Sequence, residues 1–169
     1  MRMIRRLIST IALSTALLAP PAMAQEAQFL STLKGSWKGT GTVTTKIGSR
    51  PINVNCTFDS TTSGPSLQMN GTCRGLVVVR RAISADLRAS GTRYGGNYVG
   101  PSGIPSALSG SRSGNSINLS ITWKRVINGD KVAGMTITKV GNNGLRLRTT
   151  DKDGANGPTV VTADIRLTR

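Results

Sequence analysis

The chain has 169 residues, with 22 Lys plus Arg against 7 Asp plus Glu, a net charge of +15, and no histidine. The missing imidazole excludes Ser-His-Asp and Cys-His nucleophile systems, histidine acid–base chemistry, histidine-ligated zinc and proximal-histidine haem. The charge favours anionic surfaces as partners.

At the N-terminus, Arg2, Arg5 and Arg6 flank the start of an apolar stretch from Leu7 to Ala19, and Ala22-Met23-Ala24 precedes Gln25. This is the pattern of a cleavable secretory signal peptide over 1–24. The stretch is shorter than the roughly 20 residues that span a bilayer, and no comparable run follows, so no transmembrane span is expected. No Cys follows the cut, which disfavours a lipid anchor. Cleavage leaves 19 basic residues against 7 acidic ones, a net charge of +12. Residues 25–169 suit one domain, expected to be periplasmic or secreted.

Glu26 to Lys34 is the one helical candidate, with Ala27, Leu30 and Leu33 at helical spacing before Gly35. From there the pattern changes to period two, which places alternate side chains on one face of a strand. Trp37, Gly39, Gly41 and Val43 alternate with polar neighbours, as do Ile52, Val54, Cys56 and Phe58. The inward series continues through Leu67, Met69, Gly71 and Cys73, then Ile83, Ala85, Leu87 and Ala89. Tyr94 to Tyr98 is the least regular segment, and Gly100 to Pro105 reads as a loop. Ile117, Leu119, Ile121 and Trp123 resume the alternation, followed by strands at about 132–139, 145–150 and 159–167 between Gly/Asn/Asp turns. Short strands joined by tight turns predict an all-β fold, an antiparallel up-and-down β-barrel of about 8–10 strands with a short N-terminal helix, or alternatively a sandwich. The helix is placed to plug one end of the barrel, and glycines within strands suit its sharp bends.

Cys56 and Cys73 lie symmetrically about Gly64-Pro65, a turn signal between two alternating segments. In an exported protein they are expected to form a cross-strand disulfide, stabilising by roughly 3 kcal/mol on the chain-entropy account. Two thiols without partners cannot complete a metal site, so neither a metal nor a cofactor is expected. The aspartates, Asp59, Asp86, Asp130, Asp151, Asp153 and Asp164, fall at predicted turns or outward positions. No enzyme is expected.

Phe29-Leu30 through Leu33-Lys34-Gly35-Ser36-Trp37 resembles the opening of the calycins, the group of lipocalins, fatty-acid-binding proteins and nitrobindin-like barrels. There a helical turn leads into a Gly-x-Trp at the start of the first barrel strand. Two features depart from the pattern: Thr150-Asp151-Lys152 stands where a lipocalin has Thr-Asp-Tyr, and the haem-ligating histidine of nitrobindin-like proteins is missing. The resemblance implies the barrel fold and leaves the ligand open.

Three functions follow as expectations. The first is a barrel binding a small lipid-like, amphipathic or anionic ligand in the cell envelope, lined by the inward-phase residues Met69, Tyr98, Arg112, Trp123, Arg125, Met135 and Lys139. An inward guanidinium suits a carboxylate or phosphate bidentately. The second is an envelope interaction protein whose outward Arg74, Arg88, Lys124, Arg146, Arg148 and Arg166 bind an acidic glycan or lipopolysaccharide. The third is an inhibitor of an exported hydrolase, using a disulfide-tied loop at Gly64-Pro65. Nucleic acid is disfavoured for an exported chain.

Overall fold

The computed structural model describes residues 22–169, so the arginines and apolar stretch of the expected signal peptide lie outside the described residues. The helix α1 runs Ala22–Ser31, earlier than the spacing predicts. It tightens through i→i+3 bonds, Thr32 N–H to Phe29 O and Leu33 N–H to Leu30 O, and stops at Gly35, whose φ of +133° only glycine adopts freely. Leu30 and Leu33 are fully buried, anchoring the helix by its apolar stripe.

Ten strands follow: β1 Gly35–Val43, β2 Ile52–Ser63, β3 Ser66–Gly75, β4 Val79–Ser90, β5 Arg93–Val99, β6 Pro105–Ser113, β7 Ser116–Ile127, β8 Asp130–Val140, β9 Gly144–Lys152 and β10 Thr159–Thr168. Each pairs antiparallel with its sequence neighbours, and β1 pairs with β10, so the meander closes into a barrel without free edges. Closure needs close backbone approach. A Cβ on Gly39 or Gly41 would fall onto the carbonyl oxygens of Arg166 and Asp164, so the β1–β10 seam depends on hydrogen at both positions. In β10 a bulge between Val161 and Ala163 adds local twist.

The apolar phase faces inward throughout, from Trp37, Val54, Phe58 and Leu67 to Ile137, Leu145 and Leu167. Lys, Arg, Thr, Asn and Ser occupy the outward positions, the reverse of a membrane-spanning barrel. No helix among the described residues is long and apolar enough to cross a membrane. The segment Tyr94–Tyr98 is a regular strand, and Pro105–Ser113 is another. Their inward positions include Gly96, Ser106, Gly110 and Arg112, which carry no hydropathy signal for alternation to register.

Cys56 and Cys73 are direct cross-strand partners and form the disulfide inside the barrel. The hairpin turn closes at Ser63 and Ser66, well away from the bridge along the strands, so the disulfide ties the barrel wall and not the Gly64-Pro65 loop.

Candidate functional site

The two ends of the barrel are built differently. At the end covered by α1, Glu26 is 3% exposed and its carboxylate accepts two hydrogen bonds from the Arg112 guanidinium, at 2.8 Å from Nε and 2.9 Å from Nη2. The Tyr94 hydroxyl donates to the same carboxylate, and the guanidinium stacks 4.7 Å from the Phe29 ring centroid. Arg112 therefore holds the Glu26 carboxyl below the usual carboxylate range, against the opposing effect of burial. Burial and then Glu26 push the Tyr94 phenol upward, so it stays a donor.

Beside this cluster Trp37 donates its indole N–H to Leu33 O at 3.0 Å. The Arg169 guanidinium lies 4.8 Å from its ring centroid and the Lys139 ammonium 5.6 Å. Lys139 Nζ donates to the carbonyl oxygens of Gly141 and Asn142, both at 2.6 Å, while Arg169 donates to Lys34 O and Asn142 O. Burial lowers the Lys139 pKa. Each of these charged groups and the Trp37 indole has a protein partner; Ser60 Oγ, on β2 opposite Gly35, is buried at this end without one.

The opposite end has no helix. Its inner wall combines small residues, Gly41, Ala85, Ser106, Ala133, Thr149 and Ala163, with the apolar Val43, Ile52, Ile83 and Ile121. Among them stand Tyr98 and Trp123, with ring centroids 6.2 Å apart and planes tilted by 58°. Trp123 Nε1 is buried without a hydrogen-bond partner. Burial pushes the Tyr98 phenol up to about 12, so it too is a neutral donor. Met69 shares a register row with Ala85, Tyr98 and Ser106, and Met135 lies on β8 opposite Leu119 and Thr149. The turn β7–β8 folds over the rim here: Asn128 Nδ2 donates to Asp151, and Gly154 N–H donates to Asn128 O.

The seven residues expected inside thus divide. Met69, Tyr98, Trp123 and Met135 line the barrel. Arg112 and Lys139 point inward at the α1 end, where Glu26 and backbone carbonyls engage them. Arg125 is exposed near the end of β7. Glu26 escaped the sequence reading although it opens the helical candidate; its signal is an acid on the face of a plugging helix, opposite an inward-phase arginine on β6.

Outside, the expected basic face also sorts itself. Successive strands pair Arg146 with Arg166, Arg166 with Thr40, Thr40 with Asn55, Asn55 with Arg74, and Arg74 with Arg80. Four arginines therefore stand on one register row across six strands. Lys38, Arg74 and Arg80 border an open outer groove over this region. Arg148 lies one outward position from Arg146, and Asp164, held below its usual range by Arg146, is the acid beside them. Arg88 and Lys124 lie off this row, on β4 and β7.

No protein-family model matches the chain, and no curated protein does. Among solved structures it is similar to Rv2717c from M. tuberculosis, with a TM-score of 0.67 and 19% identity over 86% of this chain and 98% of that one. A likeness at this identity shows a shared barrel fold and assigns no calycin family.

Proposed function

We propose that the protein is an exported, non-enzymatic barrel that takes the tail of a small amphipathic molecule into the end away from α1. The observation that carries this reading is the buried, unpartnered Trp123 Nε1 beside the neutral Tyr98 donor. A buried donor left unpaired costs about 1–3 kcal/mol, which a ligand oxygen accepting from it offsets. The head-group oxygen of such a ligand sits at Trp123 Nε1 just inside the rim, where Arg81 and Arg125 are exposed. The interior disulfide and the secretory pattern of residues 1–24 support an oxidising compartment outside the cytoplasm.

The test is a titration with cis-parinaric acid and its methyl ester, read by energy transfer from tryptophan. Saturable binding of both is expected, weakened about fivefold by Trp123→Phe, the loss of one hydrogen bond of ~1 kcal/mol. Binding that is absent, or unchanged in Trp123→Phe, refutes this site. A second reading rests on the outer arginine row, which suits an acidic glycan. Arg74→Glu with Arg166→Glu then abolishes salt-sensitive retention on an acidic polysaccharide while circular dichroism stays unchanged.

A further inference from the structure

The turn joining β3 to β4 is made of Leu76, Val77 and Val78, which are 63%, 89% and 81% exposed, and Val79 beyond them is 37% exposed. Leu76 and Val77 have φ of +47° and +66°, a region that bulky and β-branched residues rarely enter. Val78 N–H donates to Leu76 O at 2.7 Å, closing an i→i+2 turn about a residue of positive φ, a strained form. Glycine or asparagine would make this turn without strain and without apolar exposure. The chain instead places four consecutive apolar residues at a protruding tip.

The base of the tip is cationic. Arg74 and Arg80 are direct cross-strand partners and Arg81 follows, whereas the one acid within residues 66–90 is Asp86, farther along β4. The β7–β8 hairpin at the same end is similar, with Val126 and Val132 60% and 50% exposed beside Lys124, Arg125 and Lys131, and with Asp130 as the acid in its turn. An apolar point set in a basic collar has the two components of surface membrane binding, in which apolar residues enter the headgroup layer and cations pair with lipid phosphates. A convex tip suits a deformable lipid layer. A soluble polyanion would engage the arginines and gain nothing from Leu76 to Val79.

We infer that the end of the barrel away from α1 docks on an anionic phospholipid surface, with Leu76–Val79 inserted and Arg74, Arg80 and Arg81 paired with phosphates. This stands without any occupant of the barrel, although it brings the proposed entrance against a lipid source.

The experiment is co-sedimentation of the mature chain with phosphatidylcholine vesicles, with and without phosphatidylglycerol. Wild type is expected to bind the anionic vesicles at least about tenfold more tightly, since each arginine near the surface adds roughly 1 kcal/mol. Val77→Asp with Val78→Asp, at residues that touch solvent, is expected to remove that binding and leave circular dichroism and cis-parinaric acid binding in vesicle-free buffer unchanged. Arg80→Gln with Arg81→Gln is expected to remove most of the salt-sensitive part. Should the aspartate pair disturb folding, Val77→Ser with Val78→Asn makes the same comparison. Wild-type binding to neither vesicle overturns the proposal. So does equal binding by wild type and tip variant, which would leave the arginine row to an acidic glycan.

Discussion

The α1 end and the opposite end of the barrel share one wall of strands, yet they treat a tryptophan indole N–H oppositely. Trp37 has its indole N–H satisfied by Leu33 O and its ring flanked by Arg169 and Lys139. Trp123 is partly buried, packed against the core and Tyr98, with its Nε1–H enclosed and unmet. At the α1 end the indole is engaged and one hydroxyl, Ser60 Oγ, is buried without a partner; at the opposite end it is the indole N–H of Trp123 that lacks one. An inward charge is therefore poor guidance to a ligand here, because Arg112 and Lys139 are engaged in closing the barrel.

The comparison breaks most sharply at Trp37. Trp37→Ala removes a fully enclosed indole, the ring beside two cations and the donor to Leu33 O, and about 4 kcal/mol of stability is expected to go, measured by urea denaturation. Glu26→Ala strands the Arg112 guanidinium at the same end, with an expected loss of about 3 kcal/mol and a lowered Tm.

Acid acts on the same pair. The Glu26 carboxyl is depressed in the folded protein, so its contribution is complete above the ordinary glutamate value of 4.5 and fades as pH falls below it. The Tm of wild type is expected to drop more steeply below that pH than the Tm of Glu26→Gln. Asp164, depressed by Arg146 in a partly exposed pair, supplies the slope that the variant retains. The smallest effect is at the other end: Trp123→Phe is expected to change stability by less than about 1 kcal/mol, because removing an unpaired donor offsets the lost ring contacts, while weakening the probe.

The barrel was legible wherever inward positions carry apolar side chains, as at Ile117, Leu119 and Ile121. It was illegible at β5 and β6, where Gly96, Ser106 and Gly110 interrupt the inward series of Tyr94, Tyr98 and Leu108. The disulfide partners were legible because a hairpin turn fixes register and both cysteines share a phase. The candidate cavity residues were placed on the inner face by phase alone, but phase does not say at which end of a barrel a residue lies. That depends on which loops meet α1, and it separates Arg112 and Lys139 from Tyr98 and Trp123. The β3–β4 tip went unnoticed because Leu76 to Val79 interrupts alternation, and an apolar run between strands reads as more strand. Its flanking Arg74, Arg80 and Arg81 were the available signal.

Native mass spectrometry of the protein purified from its own cells, followed by denaturing release of bound small molecules, tests the division of the ends most directly. A stoichiometric amphipathic molecule on wild type, lost or reduced in Trp123→Phe and retained in Arg112→Lys, is the predicted result. Bare protein from cells, together with no uptake of cis-parinaric acid, would contradict it and make the end away from α1 as purely structural as the other.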